Sequence, residues 1–473
     1  MAQPHRRPVV SALALLFASL MAVASCSHPD RRPVTLVITG GGVVTMDPAR
    51  RILSPGAVAI DGRDIVAVGT PEAIARQFSA AETIDAAGAL VLPGLVNTHT
   101  HAPMVMYRGL ADDLALMDWL QQYIFPAEAK TVSPEMVRVG TRLAALEMIQ
   151  SGTTTFADMY YFEDEIARAT KAAGLRAVLG QSVIGFPVPD ARTPADGLAR
   201  AESFIRAFAA DDLITPAPAP HSPYTVDEPT LRAVRDLAAR YKTPILIHLA
   251  ETEDEVAIIR ERHRMTPAAW LDSIGLLGPN VVAAHGVWLT DEDIAILKRT
   301  GTSVSHNPES NMKLASGAAP VPKYLKAAVT VGLGTDGAAS NNDLDMFEAM
   351  RQAAFLHKHA SRDPRAVPAA AALEMATILG ARALGLDKAI GSIEVGKRAD
   401  VIVVAMDGAR QTPMYNPISH LVYVTQGGDV RTTVVNGQVL MRDRRMRTLD
   451  ERVVLADARA LARKIREAVA ATR

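Results

Sequence analysis

A chain of 473 residues with 49% hydrophobic residues can bury a large core, as two or three domains or as one barrel with an appendage. A formal net charge of −1, with no basic stripe interleaved with aromatics, gives no electrostatic case for a nucleic-acid partner. The single cysteine excludes an intrachain disulfide framework and a cysteine-based zinc site, and 5% aromatic content favours a helix-rich α/β protein over an all-β sandwich.

The first 26 residues read as a secretory signal. Arg6 and Arg7 precede an apolar stretch from Val9 to Ala24, short for the ~20 residues of a transmembrane helix. Val23-Ala24-Ser25-Cys26 resembles a bacterial lipobox, in which Cys26 becomes the lipidated first residue of the mature chain. An ordinary signal with an incidental cysteine and an uncleaved anchor are the alternatives. The expected location is therefore exported, periplasmic or membrane-anchored through Cys26. Residues 27–33 are polar and proline-rich and are expected to be a tether.

Residues 34–90 carry short β-rich runs at Thr35–Thr39, Gly42–Met46, Ala57–Ile60 and Ile65–Val68, with Asp61-Gly62 as a hairpin turn. Gly40-Gly41-Gly42 lacks the following helix and Lys-Ser/Thr of a phosphate loop and is expected to be a turn or bulge. Residues 91–388 then alternate apolar runs with amphipathic segments. Strands are predicted at Val91–Thr98, Thr153–Asp158, Arg176–Val183, Ile214–Pro220, Pro244–Ala250, Val281–Ala284, Thr302–Ser305 and Val329–Gly334. Between them lie helical segments such as Pro134–Gln150, Glu163–Ala173, Glu228–Tyr241 and Asp291–Arg299. Eight strand–helix units in this length fit a (β/α)8 TIM barrel, with a doubly wound open sheet as the competing arrangement. Residues 389–473 return to β-rich runs (Val401–Ala405, Val430–Val435, Gln438–Met441) and end in a helix over Arg452–Arg473 with a solvated charged face. The two β-rich ends predict one small composite β-sandwich built from both termini. No repeat at a solenoid period is present.

Barrel chemistry sits at the C-terminal ends of the strands. The predicted strands end, in turn, at His99 and His101, at His221, at His248 and Glu251, at His285, at His306 and at Asp336. Residues two apart on a strand share a face, so His99-Thr100-His101 can offer two imidazoles to one ion. Any one of these histidines alone is most simply a hydrogen-bonded residue at a loop edge. Six of the chain's 12 histidines with an Asp and a Glu in corresponding places predict a metal site instead.

Pro93-Gly94-Leu95-Val96-Asn97-Thr98-His99-Thr100-His101, His248-Leu249-Ala250-Glu251-Thr252, Ala284-His285-Gly286 and Gly334-Thr335-Asp336-Gly337-Ala338-Ala339-Ser340-Asn341-Asn342 resemble the amidohydrolase superfamily. More narrowly, they resemble its 5-methylthioadenosine/S-adenosylhomocysteine deaminase group. The likeness runs from Thr35 to about Arg445 and includes Met104–Asp113, Phe125–Ala129 and Ser151–Met159. It implies a TIM barrel with a composite sandwich, and one divalent ion, Zn²⁺ or alternatively Fe²⁺, held by His99, His101, His248 and Asp336. Two-metal members carry a bridging lysine at the end of strand 4, where this chain reads Ala217-Pro218-Ala219-Pro220-His221 with no lysine until Lys242.

Such an ion lowers the pKa of its water toward ~7. Glu251 is then the implied proton shuttle, and His285 and Asp336 assist. Glu128, His221, Glu251 and Asp336 are the implied substrate-binding residues, and Trp119 either borders the base or is structural. The implied activity is hydrolytic deamination of an amino-purine nucleoside, an aminohydrolase acting on the C–N bond of a cyclic amidine. Guanine, cytosine and triazine hydrolases share these segments and form the alternative, and a non-catalytic lipid-anchored scaffold is the alternative of another class. The expected partner is a small heterocyclic substrate. Homo-oligomerisation is left open, and a membrane is met only through the N-terminal anchor.

Overall fold

The computed structural model describes residues 1–2 and 31–470. The expected signal, lipobox and Cys26 lie outside the described residues, as do positions 27–30 of the expected tether. Arg32 and Pro33, assigned above to that tether, instead open the first strand and pair with Phe78 and Ser79, so the fold begins earlier than their polarity suggests.

In chain order the strands are β1 (Arg32–Thr39), β2 (Gly42–Val44), β3 (Ile52–Leu53), β4 (Ala57–Asp61), β5 (Asp64–Gly69), β6 (Phe78–Asp85) and β7 (Ala89–Pro93). They continue as β8 (Leu95–Thr100), β9 (Thr153–Tyr160), β10 (Arg176–Val183), β11 (Ile214–Pro220), β12 (Ile245–Leu249), β13 (Val281–His285), β14 (Ser303–His306) and β15 (Val331–Leu333). The last are β16 (Val401–Ala405), β17 (Val430–Val435), β18 (Gln438–Arg442) and β19 (Arg445–Met446).

Two sheets form the small domain, in the orders β5-β4-β1-β6 and β19-β18-β17-β16-β7-β2-β3. Their shared core draws Leu36, Ile38, Val58 and Ile60 from one terminus and Val401, Val403 and Val434 from the other, as a composite sandwich requires. The expected hairpin at Asp61-Gly62 joins β4 to β5, with Gly62 at a φ of 59°.

The predicted first barrel strand, Val91–Thr98, is two strands in two domains. Ala89–Pro93 is fully buried and pairs with β16 and β2 in the sandwich, and the barrel begins at Leu95. Gly94 is the join. A Cβ there would lie 2.1 Å from Thr154 Oγ1, so only glycine lets the chain pass this close to β9. Two apolar runs that abut without a polar break cannot be divided by periodicity.

β8 to β15 are parallel and form two four-stranded runs, β11-β10-β9-β8 and β12-β13-β14-β15. Backbone bonds bridge both seams: His248 N donates to His221 O (3.0 Å) and Asp336 N to His99 O (3.0 Å). The barrel interior is filled by Val96, Ala157, Met159, Val178, Leu246 and Val282. A buried pair ties barrel to sandwich, with Arg176 on β10 donating to both Asp400 oxygens at 2.9 and 3.2 Å. The C-terminal helix, Glu451–Ala470, buries Val454, Ala458, Leu461 and Ile465, one helical stripe, and leaves its charges outward as expected. No helix among the described residues is long and apolar enough to cross a membrane.

Candidate active site

β8 delivers the first two histidines, though not by simple alternation. Val96 and Thr98 face the barrel interior, with Thr98 Oγ1 2.6 Å from Ser305 Oγ, so strict alternation would send His99 outward. The register against β9 shifts between Asn97 and Thr100, and this irregularity turns His99 into the mouth beside His101. The two rings sit with centroids 4.9 Å apart. Asn97 braces the turn: its Oδ1 accepts from Thr335 N (3.1 Å), and its Nδ2 donates to Thr335 Oγ1 (2.7 Å).

Four atoms converge here. His248 Nε2 is 3.4 Å from His101 Nε2, and Asp336 Oδ1 is 3.4 Å from both His99 Nε2 and His101 Nε2. Metal–ligand bonds of ~2.0–2.1 Å in a tetrahedral site put neighbouring ligand atoms about 3.4 Å apart. The outer nitrogens fix the tautomers. His101 Nδ1 donates to Met159 O (2.6 Å) and His248 Nδ1 to His221 O (2.7 Å), which leaves each Nε2 with its lone pair inward. His99 Nε2 is buried and has no hydrogen-bond partner. Such an atom, among nitrogens that cannot donate to it, fits a cation. Asp336 Oδ2 is held by Ser310 Oγ (2.7 Å), and Oδ1 accepts from Gly337 N (2.7 Å).

Electrostatics agree with this donor set. Burial pushes His99 down to about 4, partly opposed by the Asp336 carboxylate, and burial with neighbouring imidazoles takes His221 to about 3 and His248 well below its usual range. Neutral imidazoles are the form that binds metal. Burial alone would raise the Asp336 carboxyl, but His99, His101 and His285 around it hold it well below the usual range.

Glu251 and His285 face each other beside the cluster, with Glu251 Oε2 3.7 Å from His285 Nε2. His285 Nδ1 donates to Asn311 Oδ1 (3.0 Å). Ala250, His285 and Asp336 all take left-handed φ, at 51°, 72° and 63°. Strand ends with positive φ at non-glycine residues are uncommon, and here three of them aim the reactive groups inward. Two glycines of the Gly334-Thr335-Asp336-Gly337 turn are set by contact: a Cβ at Gly334 would lie 2.8 Å from His99 N, and one at Gly337 3.1 Å from His101 Cβ.

Residues 90–440 match the Amidohydrolase family model. The chain belongs to the amidohydrolase family. A 5-methylthioadenosine/S-adenosylhomocysteine deaminase of Syntrophobacter fumaroxidans is 51% identical over 91% of this amidohydrolase and 98% of its own length. A 5'-deoxyadenosine deaminase of Methanosarcina barkeri is 48% identical over 91% and 98%. Among solved structures, an adenosine deaminase from Xanthomonas campestris with bound zinc superposes with a TM-score of 0.91 at 40% identity, covering 92% of this chain and all of that one. As in its family, the amidohydrolase uses a divalent metal, and the four converging atoms are suited to holding one.

His101, His248, Glu251, His285 and Asp336 line one partly enclosed cavity. Glu128, from the helix Phe125–Thr131, and His221 both line it, as does Trp119. Glu128 is buried and accepts from Tyr160 Oη (2.7 Å) and Tyr161 Oη (3.4 Å); burial raises its carboxyl to about 7 against the pull of those two bonds. His221 Nδ1 lies 3.0 Å from Thr225 Oγ1.

Of the strand-end groups named from sequence, only His306 stands apart. It points away from the mouth and pairs with His357, Nε2 to Nε2 at 2.9 Å, because Ser305 takes the interior place on β14. Lys242 caps the helix Glu228–Tyr241 ahead of β12, at the opposite end of the barrel from His248.

Four positioning groups were not read from sequence: Glu255, Ser310, Asn311 and Tyr160. Glu255 is buried, and its two oxygens accept from Ala250 N (2.7 Å) and Glu251 N (3.1 Å). It sits at the third position of the helix Glu253–His263, whose N-cap is Thr252, so the Thr-x-x-Glu spacing carried a signal. Ser310 and Asn311 lie on the helix Pro308–Lys313, past the strand end where ligand positions were sought.

Proposed function

We propose that this amidohydrolase is a metal-dependent hydrolytic deaminase of 5′-modified adenosine nucleosides. The observation that carries the proposal is Glu251 facing His285 beside the converging ligand atoms of His99, His101, His248 and Asp336, in a cavity also lined by Glu128 and His221. Relatives at 48% and 51% identity, both named as deaminases of such nucleosides, support the substrate class. The reaction replaces the amino group on the purine ring by oxygen from water and releases ammonia.

One divalent ion held by His99, His101, His248 and Asp336 would supply Lewis-acid activation of the attacking water. Zinc is supported by the related zinc-bound structure, and a single ion by the absence of a lysine at the end of β11. The chain's own groups do the rest. Glu251 takes the water proton on its carboxylate and passes it to the ring nitrogen next to the carbon under attack. His285, fixed by Asn311, orients the oxygen from beside Glu251 and offsets the charge that develops on it. Asp336, held by Ser310 and Gly337, carries a proton toward the departing amine. The Glu128 carboxylate is positioned to accept from ribose hydroxyls, and His221 hydrogen-bonds the nucleoside from the end of β11. The soluble form beginning after Cys26, loaded with zinc, should release ammonia from 5-methylthioadenosine and 5′-deoxyadenosine. Release only from guanine, cytosine or a chloro-triazine would sink the substrate assignment.

The chain is, in the same proposal, exported and anchored through a lipid on Cys26. A basic pair, an apolar run and a lone cysteine behind Val-Ala-Ser support it. The expected result of Cys26→Ser is loss of fatty-acid labelling and transfer of the protein from the membrane to the soluble fraction. Unchanged partition and labelling would remove the anchor.

A further inference from the structure

The lining of the cavity, taken with the deaminase reading on which this rests, sets a preference among 5′ substituents. The reacting carbon must lie on the floor beside Glu251, so the ribose and its 5′ end point to the mouth. Toward the trough outside, the lining is the apolar pair Leu116 and Leu314, and Trp119, Leu120, Ile124 and Phe125 from the segment after Leu116 add to the apolar lining. No lysine or arginine among the described residues lines the cavity, and its carboxylates are Glu128, Glu251 and Asp336. A surface trough shares Leu116 and Leu314 with the mouth and continues outward past Asp118, Glu253, Asp254 and Trp288. Three cations on nearby segments are engaged elsewhere. Lys313 Nζ donates to Asp112 Oδ1 (2.5 Å), Arg262 Nη1 to Tyr224 O (3.0 Å), and Arg108 pairs with Glu147.

A carboxylate at the 5′ end would leave water for an apolar wall, with no counter-charge and acidic groups ahead of it. Each of these costs binding free energy. A hydrogen or methylthio group meets only the apolar wall, and an ammonium reaches the acidic trough. We infer that the enzyme selects 5′-deoxy and 5′-alkylthio adenosines, and thioether adenosines ending in an amine, and discriminates against S-adenosylhomocysteine through its carboxylate.

The test compares 5-methylthioadenosine, S-adenosylhomocysteine and the decarboxylated form of the latter, which keeps its length and amine. Calorimetric Kd values on zinc-loaded Glu251→Gln, which binds without turnover, stand beside kcat/KM on the wild type. The expected result is S-adenosylhomocysteine about 100-fold weaker than its decarboxylated form in both readouts, the scale of a desolvated charge without a partner. Leu120→Arg, on the half-buried part of the wall, should narrow that gap at least about tenfold. Equal affinity for the two, within about threefold, overturns the inference, including the case where a second copy supplies a cation. Binding and turnover of none of the three overturn the deaminase reading itself, and this inference with it.

Discussion

Replacing Glu251 by glutamine is expected to lower the deamination rate about 1000-fold and to leave nucleoside affinity nearly unchanged. The substitution keeps the shape of the side chain, and the backbone at Ala250 and Glu251 stays clamped by Glu255. What it removes is the proton acceptor beside the reacting oxygen, since an amide can neither take the water proton nor return one to the ring. Burial, with His285 opposing and Asp336 adding, shifts the Glu251 carboxyl upward, the direction a proton shuttle needs. Stopped-flow or steady-state ammonia assays with parallel calorimetry check both halves. A variant that retains more than about a tenth of the wild-type rate would assign the proton transfer to another group.

The second large effect is on the metal. Asp336→Asn should lower zinc affinity at least about 100-fold, since ligand loss exceeds the 10–100-fold typical of outer partners. Asp336 supplies the one anionic atom among four, and its Oδ1 lies 3.4 Å from two of the three imidazoles. With an amide there, the buried histidines lose the carboxylate that offsets their desolvation. Metal content by plasma emission after dialysis, with circular dichroism to show the barrel intact, gives the answer. Full zinc retention would remove Asp336 from the ligand set.

Much of the site was legible in the sequence because a barrel collects its chemistry at one kind of position. His99, His101, His248, Glu251, His285 and Asp336 lie at or just past strand ends, and the structure brings them to one floor. Two features escaped for reasons of strand geometry. His306 and Ser305 are neighbours in sequence, and a one-residue difference in facing sends the serine inward and the histidine to His357. The join at Gly94 is hidden because both flanking strands are buried apolar runs, and the reason for it, Thr154, lies about 60 residues away. The parallel pairing of β1 with β6 and the bond from Tyr160 to Glu128 are long-range, set by packing rather than local pattern. The support around the reactive groups was harder to read than the groups themselves. Glu255, Ser310 and Asn311 act through helices that follow the strands, and of the three only Glu255 left a local trace, the Thr-x-x-Glu spacing at its helix start.

The measurement that bears most directly on the account is a titration of metal-free protein with zinc, read as ammonia release from 5-methylthioadenosine. The account predicts no turnover in the apoprotein, a linear rise with added zinc, and a plateau at one equivalent per chain. Turnover without metal, or a plateau at two equivalents, would contradict it.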